Sequence, residues 1–291
     1  MQPTDTPLFT HLLAESWAQR AKTPKPTALG TMLRYSGAYG CGRRMGYDWF
    51  EAEPTEPPTG AAVWQAGMGT LVHEEVQAAI AAKHPDAVFE LGTKVNEWIS
   101  GSCDAFVPDF PFFGNVLYEL KTMGEFAFDQ QVGYKRRFGK LELTDPKGPK
   151  GGAITQAGMN ALGVEDFLDV RIDNIVLGSL TFSVVSEKMV RATNISDFAR
   201  FGAEFIIPRE VWLPMATKEI DRLTDFAWAI DKGFIPERWA KDDDGNDLRL
   251  DPFGDNWQCS YCPYRTLCVG DGDGQIAVLD SKLTRRVKET Q

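Results

Sequence analysis

Long hydrophobic runs are missing from this 291-residue sequence. No apolar segment approaches the roughly 20 residues that a membrane-spanning helix needs. The first residues, Met1 to Asp5, lack the basic region and the apolar stretch of a secretory signal. Internal repeats are missing as well. We therefore expect a cytoplasmic protein with no membrane association, long enough to bury a substantial core as one large domain or as a domain with a smaller lobe.

An excess of positive charge is also missing, because 41 acidic residues outweigh 31 basic ones and give a net charge of −10. Such a charge argues against a protein that coats nucleic acid with its whole surface. It is compatible with a local basic groove. Between Lys135 and Lys150, six residues are basic and two are acidic, and Arg43 and Arg44 are adjacent. These groups are either plain solvated surface or, if they converge on a catalytic centre, part of a nucleic-acid site.

Cysteine is scarce, with five residues in the chain. Without an export signal, these cysteines favour a metal site or a redox role over a disulfide framework. Three of them form the motif Cys259-x2-Cys262-x5-Cys268, which needs a fourth ligand. Cys41 is the first candidate and Cys103, inside a predicted strand, is the other. Four thiolates suit structural zinc or an iron–sulfur cluster. A single ligand far upstream favours iron–sulfur, although spacing does not settle the choice.

The periodicity of apolar residues predicts helices and strands along most of the chain. The predicted elements are a short amphipathic piece from Leu12 to Ala18, a helix over 61–83, a β-meander of strands Ala87–Leu91, Val95–Ile99, Ser102–Val107 and Val116–Lys121, a glycine-rich basic insertion over 123–152, a short helix over 153–162, two strand pieces within 170–185 broken near Gly178, and a helix over 208–230. This order predicts an α/β fold with a mixed central sheet flanked by helices.

The segment Tyr118-Glu-Leu-Lys-Thr122 carries an acidic and a basic residue two positions apart. On a strand, Glu119 and Lys121 point to one face and Leu120 to the other. Asp104 supplies a second carboxylate, and two carboxylates suit a hard cation such as Mg²⁺. A lysine beside that cation would orient water and stabilise charge on a phosphate. The alternative is an ordinary ion pair between Glu119 and Lys121 on a solvated face.

Several features, in this order, resemble the successive motifs of the RecB-like branch of the PD-(D/E)XK nuclease superfamily. They are His73, Gly101-x2-Asp104, Glu119-x-Lys121, Gln156, Gly233-Phe-Ile-Pro236-Glu-Arg238 and the cysteine pattern. One upstream cysteine with a terminal triplet is similar to the iron–sulfur exonucleases of this branch, which include the AddB nuclease domain and the exonuclease associated with CRISPR adaptation. The resemblance extends from about residue 33 to residue 268.

The resemblance implies a restriction-endonuclease-like core and a site that binds Mg²⁺ or Mn²⁺. His73, Asp104 and Glu119 would bind the cation, with help from the Leu120 carbonyl. Lys121 would position the attacking water and stabilise the phosphate charge. Gln156 would orient Lys121 or the scissile phosphate. A structural [4Fe–4S] cluster would be held by four cysteines, namely Cys41, Cys259, Cys262 and Cys268, in a lobe that joins the N- and C-terminal segments.

Two positions depart from the family pattern. The family helix reads Gln-x3-Tyr, whereas here the residue four positions after Gln156 is Asn160. The DNA contact of that tyrosine is either unfilled or taken over by another residue such as Tyr134. A literal Pro-Asp also precedes Glu119, but we favour Asp104 as the ligand because Asp109 lies in a predicted hairpin turn. The candidates for DNA contact are Arg43, Arg44, Tyr134, Lys135, Arg136 and Arg137.

Three segments are predicted: 1–60 with the first cluster cysteine, a nuclease core over 61–240 with the insertion 123–152, and an iron–sulfur segment with a tail over 241–291. The resemblance implies a DNA exonuclease that acts on single strands or ends, 5′ to 3′, in recombination, repair or phage- or CRISPR-related DNA processing. Partners would be DNA and recombination or CRISPR-adaptation proteins. The alternative is a non-catalytic nucleic-acid-binding or adaptor protein on a nuclease fold. A sequence-specific endonuclease would need a recognition domain, which we do not find in the sequence.

Overall fold

The central element of the fold is a six-stranded mixed β-sheet. This computed structural model describes residues 31–56, 60–137, 140–181, 202–254 and 256–277, so the predicted piece from Leu12 to Ala18 lies outside it. In chain order the strands are β1 (Leu33–Arg34), β2 (Val88–Lys94), β3 (Ile99–Phe110), β4 (Gly114–Met123), β5 (Tyr134–Arg137), β6 (Lys140–Leu143), β7 (Asn174–Thr181), β8 (Gly202–Pro208), β9 (Phe234–Ile235), β10 (Trp239–Lys241), β11 (Asp247–Arg249) and β12 (Ile276–Ala277). The helices are α1 (Gly42–Trp49), α2 (Gly60–Lys83), α3 (Glu125–Val132), α4 (Gly151–Leu168), α5 (Arg209–Asp231), α6 (Trp257–Ser260) and α7 (Arg265–Gly270).

Strand β4 lies inside the sheet, antiparallel to β3 and parallel to β7, and β8 pairs antiparallel with β7. Strand β3 is shared by three neighbours. Strand β2 pairs with one edge of β3, while β1 and β4 pair with successive parts of the other edge. The remaining strands form three two-stranded pairs, β5–β6, β9–β12 and β10–β11. The expected α/β fold with a mixed central sheet flanked by helices is confirmed.

The core forms where α4 packs between the sheet and α5. The buried side chains of α4 include Ala157, Met159 and Ala161, and those of α5 include Trp212 and Ala216. Small residues on α4 let the two helices approach closely, because little side-chain volume separates their backbones. Among the helices in the described part of the chain, none is long and apolar enough to cross a membrane.

Two predicted helices are confirmed and a third is longer than predicted. The helices expected over 61–83 and 208–230 are α2 and α5, each within a residue or so of the predicted ends. The third, expected over 153–162, extends over Gly151–Leu168 as α4. After α5 the chain turns at Gly233, which has a φ of 80°, a left-handed conformation that favours glycine.

Two strand predictions are wrong, and the predicted insertion contains secondary structure of its own. The segment Val95–Ile99 is largely a turn, because the Asn96 side chain accepts hydrogen bonds from the backbone N–H groups of Trp98 and Ile99. The insertion 123–152 holds α3 and the β5–β6 hairpin. Strand β7 runs unbroken through Gly178, where the Tyr118 side chain occupies the space that a Cβ would need. A glycine inside a strand here marks a close approach, not a break.

We expect Gly158→Ala to lower the free energy of unfolding. A Cβ built at Gly158 on α4 lies 2.9 Å from the Cβ of Ala216 and 3.2 Å from the carbonyl oxygen of Trp212, both on α5. Overpacking of this kind costs about 1–3 kcal/mol, against a helix-propensity gain of at most about 1 kcal/mol for alanine. Denaturant unfolding measures the net loss.

Gly270→Ala is the matched control, because a Cβ at this helical position meets no atom within 4 Å. It should be neutral or slightly stabilising, by less than about 1 kcal/mol. A Gly158→Ala protein as stable as the wild type would show that α4 and α5 separate at little cost.

Candidate active site

The site forms at the point where the backbone pairing between β3 and β4 ends. Their ladder ends at the pair Ala105–Tyr118, so the next residues of β4 are no longer paired with β3. Asp104 bridges this gap with its side chain, since its Oδ2 accepts a hydrogen bond from the backbone N–H of Leu120 at 2.6 Å. Asp104 and Glu119 are thereby held next to each other across the two strands.

Glu119 is the most enclosed carboxylate of the site, with 2% of the residue exposed. Its Oε1 accepts from Lys121 Nζ at 2.7 Å and from Gln156 Nε2 at 2.7 Å. Its Oε2 accepts from Asn160 Nδ2 at 3.1 Å. Lys121 Nζ also donates to Gln156 Oε1 at 3.0 Å. Glu119, Lys121 and Gln156 therefore form a closed triangle of hydrogen bonds between β4 and α4.

His73 approaches from α2. Its Nδ1 lies 3.3 Å from Asp104 Oδ1, so both oxygens of Asp104 have a partner. Gln77 lies one turn further along α2, and its Nε2 donates to the main-chain oxygen of Asp104 at 3.2 Å. Two turns of α2 therefore contribute to the site. His73, Asp104, Glu119, Lys121 and Gln156 all line one cleft of about 550 Å³.

The electrostatics of the site follow from two carboxylates in a partly buried place. Burial raises the pKa of Glu119, the Asp104 carboxylate raises it further, and the ammonium of Lys121 opposes both. The hydrogen bond with Asp104 raises the pKa of His73, and burial opposes that rise. Two adjacent carboxylates repel each other, and a bound cation would relieve that repulsion.

The alternative of a solvated ion pair between Glu119 and Lys121 is wrong in one respect. The pair exists, but the Glu119 side chain is 3% exposed and that of Lys121 is 31% exposed. A salt bridge on a free surface would leave both groups in water. Here the carboxylate is enclosed and the ammonium lines a cleft, an arrangement that holds the amine in one place.

Asn160 is the site residue to which sequence reasoning gave no role of its own. The sequence left the DNA contact of the family tyrosine unfilled at this position, and Asn160 is fully buried behind Glu119. The signal that would have found it is its position one helical turn after Gln156, which puts both amides on the same side of α4. Tyr134, the suggested replacement, is half-buried on β5 with its ring 6.4 Å from that of Phe128.

The competing acidic candidate lies elsewhere. Asp109 is exposed and has a φ of 46°, within an irregular stretch of β3 between Val107 and Phe110. It is not among the residues that line the cleft of Asp104. The geometry therefore favours Asp104 over Asp109 for any role beside Glu119.

The four predicted cluster cysteines face a second, larger cleft of about 1270 Å³, and Cys103 does not. The four are Cys41, Cys259, Cys262 and Cys268. Burial is the main cause that raises the pKa of each of them, to about 11 for Cys41. Neighbouring thiols of the set contribute to the rise for Cys41, Cys259 and Cys262. Cys103 is fully buried in the core, where burial raises its pKa to about 12.

Across the described ranges, no three His, Cys, Asp or Glu side chains stand in an arrangement that could hold a metal ion. In the acidic site the oxygens of Asp104 and Glu119 already have the partners described above. The donor types nevertheless suit two different ions. Two carboxylates with an imidazole match Mg²⁺ or Mn²⁺, whereas four thiols match zinc or iron–sulfur.

The residues predicted to contact DNA are not equivalent. Arg43 is 1% exposed and its guanidinium donates to the carbonyls of Pro236, Gly272 and Gly274. These bonds correct the prediction for Arg43 and give it a structural role, since it ties α1 to the chain after β9 and α7. Arg44 is half-exposed and lies 3.7 Å from Asp48.

The basic run of the insertion lies on the β5–β6 hairpin. Lys135 is exposed there. The strand contains Arg136 and Arg137, whose side chains lie outside the description. The predicted DNA contact of these three residues stays a prediction.

We expect Asn160→Ala to destabilise the protein by about 1–3 kcal/mol, because Glu119 Oε2 loses its buried donor. Asn246→Ala is the control, since Asn246 Nδ2 makes a bond of the same kind and length, 3.1 Å to Asp242 Oδ2, in an exposed loop. Its loss should change the free energy of unfolding by less than about 0.5 kcal/mol. Equal effects of the two variants in denaturant unfolding would contradict a supporting role for Asn160.

Comparison with known proteins shows a shared fold and identifies no family. No family model and no curated protein matches the chain. Among solved structures, the crystal structure of SSO0001 is 15% identical with a TM-score of 0.51, and the match covers 90% of this chain and 96% of that one. A phage-related exonuclease from Haemophilus somnus 129PT is 16% identical with a TM-score of 0.34, over 66% of this chain and 78% of that one. The first similarity shows a shared fold alone, and the second is too low to support a conclusion.

Proposed function

We propose that this protein is a metal-dependent nuclease that hydrolyses phosphodiester bonds in DNA, as an exonuclease on single strands or ends. The observation that carries the proposal is the convergence of His73, Asp104, Glu119, Lys121 and Gln156 on one cleft. They come from α2, β3, β4 and α4, and they are the residues to which the nuclease resemblance assigns roles. Cleavage 5′ to 3′ and work with recombination, repair or CRISPR-adaptation proteins rest on that resemblance.

The donor set of the cleft fits a hard divalent cation. His73, Asp104 and Glu119 are the residues that would hold Mg²⁺ or Mn²⁺, and a cation would relieve the repulsion between the two adjacent carboxylates. When bound, the cation would supply Lewis-acid stabilisation of the phosphate charge. The hydrogen bonds that Glu119 now makes to its neighbours would have to rearrange in part.

Lys121 is positioned for a role in the chemical step. Two of the three ammonium donors point to Glu119 and Gln156, which leaves one for a water molecule or a phosphate oxygen. Gln156 accepts from Lys121 and donates to Glu119, so it fixes the amine relative to the carboxylate. A preorganised cation of this kind stabilises charge as it develops on the phosphate.

We further propose that Cys41, Cys259, Cys262 and Cys268 hold a [4Fe–4S] cluster. Their shared cleft and their thiol chemistry support this assignment, and the raised pKa values mean that loading would release protons. A ligand bond between Cys41 and the triplet would close a loop with 217 intervening residues up to Cys259. Closing a loop that long removes much unfolded-chain entropy, which suits a structural role.

The nuclease proposal predicts different defects for two variants. Glu119→Ala should weaken Mn²⁺ binding and abolish cleavage, because a carboxylate ligand is lost. Lys121→Ala should spare Mn²⁺ binding and lower the rate by roughly a hundredfold to a thousandfold, the usual cost of one stabilising donor. Calorimetric titration of Mn²⁺ and cleavage of a labelled single strand measure the two effects.

Lys232→Ala is the control, because Lys232 is exposed at the end of α5 and pairs with Asp231. It should bind Mn²⁺ and cleave like the wild type. Robust cleavage by Lys121→Ala would contradict the proposed site. A wild-type protein that binds DNA and never cleaves it would favour the adaptor alternative.

The cluster proposal predicts a brown protein when it is purified without oxygen, with about four iron and four sulfide per chain. Cys262→Ala should lose the visible absorption and melt at a lower temperature. Cys103→Ala, a buried cysteine outside the cleft, should keep the absorption. A colourless protein with one zinc per chain would refute the iron–sulfur assignment and leave the nuclease proposal standing.

A further inference from the structure

The large cleft that the four cysteines line is continuous with the catalytic cleft. Five residues line both, and they include Lys121 and Gln156 at the chemical centre. The larger cleft extends from there to α6 and α7. A DNA strand that reaches Lys121 would therefore lie along the wall of the larger cleft.

The walls of this larger cleft carry a charge opposite to that of the whole chain. Eight of the residues that line the large cleft are Lys or Arg, and four are Asp or Glu, in a chain with a net charge of −10. Five of these cations pair with carboxylates, and Lys150 lies 3.3 Å from Asp243. Arg43 and Arg265 instead donate to main-chain carbonyls, which are neutral and leave the positive charge uncompensated. An excess of positive charge confined to one groove is the pattern of a path for a nucleic-acid backbone.

Two large aromatic side chains stand exposed on the wall of the large cleft. Trp257 is 60% exposed and Tyr261 is 81% exposed, and both line this cleft. They are four positions apart along α6 and its end, so they lie on the same side of that turn. Both rings are therefore accessible from the cleft.

Lys150 links these rings to the catalytic helix. Its Nζ lies 5.4 Å from the centre of the Trp257 ring, and its backbone caps the start of α4. Gln156 follows six positions later on the same helix, which is about 9 Å along the axis. The ring of Trp257 and the amide of Gln156 are thus joined through one rigid element.

We propose that Trp257 and Tyr261 form a stacking platform for the bases of single-stranded DNA on its way to Lys121, with Lys150 contacting the phosphates beside it. This inference rests on the nuclease function proposed above and specifies its substrate. Unpaired bases offer π-faces to aromatic side chains, and the phosphates offer charge to the groove. In a duplex the bases are already stacked on one another, so the platform favours single strands.

Binding of a labelled 20-residue oligothymidylate, in the absence of divalent cations so that no cleavage occurs, tests the platform. One base–aromatic stack contributes enough that Trp257→Ala should weaken binding roughly 5- to 150-fold. Tyr261→Ala should weaken it as well, and should leave the fold intact because the Tyr261 side chain is highly exposed. Trp257→Phe should retain most of the affinity. Binding of a 20-base-pair duplex should change little.

Trp228→Ala is the matched control. Trp228 is 61% exposed on α5 and does not line the cleft, so its removal should leave binding unchanged. Visible absorption and the melting temperature, measured for each variant, identify any loss of the fold or of a bound cluster.

The outcomes separate the platform from the function on which it rests. A wild-type protein that cleaves single strands, with a Trp257→Ala variant of unchanged affinity, overturns the platform and keeps the nuclease. A wild-type protein that neither binds nor cleaves the oligonucleotide overturns both. A Trp257→Ala variant that binds the long strand weakly, yet cleaves a dinucleotide at the wild-type rate, supports the platform because the defect then depends on the length of the strand and spares the chemical centre.

Discussion

The burial of the Glu119 carboxylate is the constraint on which the site depends. A carboxylate in so enclosed a place is costly unless every oxygen has donors. Lys121, Gln156 and Asn160 supply them, and the last two come from a single helix. Strand β4 and helix α4 are therefore held relative to each other by the hydrogen bonds that this one carboxylate requires. The same contacts hold the amine of Lys121 at the wall of the cleft.

Helix α4 consequently takes part in several contacts at once. Its start carries Lys150 beside Trp257, its second turn carries Gln156, and its third carries Asn160. The glycine at 158 permits the close approach to α5 that seats the helix on the sheet. A small shift of α4 would therefore change the position of the Lys121 amine and the contact with α6 together. The stability of the fold and the geometry of the site are coupled through this helix for that reason.

Much of the secondary structure could be predicted from the sequence, because the spacing of apolar residues and local motifs describe single elements well. Helices α2 and α5 follow directly from their apolar spacing and end signals. What sequence could not give is which side chains are enclosed. Arg43 and Arg44 look alike as neighbours, yet one is buried against three carbonyls contributed by residues about 190 to 230 positions away. From the sequence alone, Asn160 could be recognised only as a departure from the family tyrosine. Its partner, Glu119, lies on β4, which comes near α4 only through the crossover between β4 and β7.

The parallel pairing of β4 with β7 has a consequence for how the molecule folds. Parallel neighbours cannot be joined by a tight hairpin and need a crossover, and here α4 lies within that crossover. Strand β7 can take its place only after the connection has closed, and contacts so distant in sequence form slowly. Glu119 meets Gln156 in the same event. A chain that has folded only as far as β4 would hold the acidic and basic residues of the strand without the helix that orients them. Chemistry at this centre would thus be a property of the completed fold, and partly folded chains would lack it.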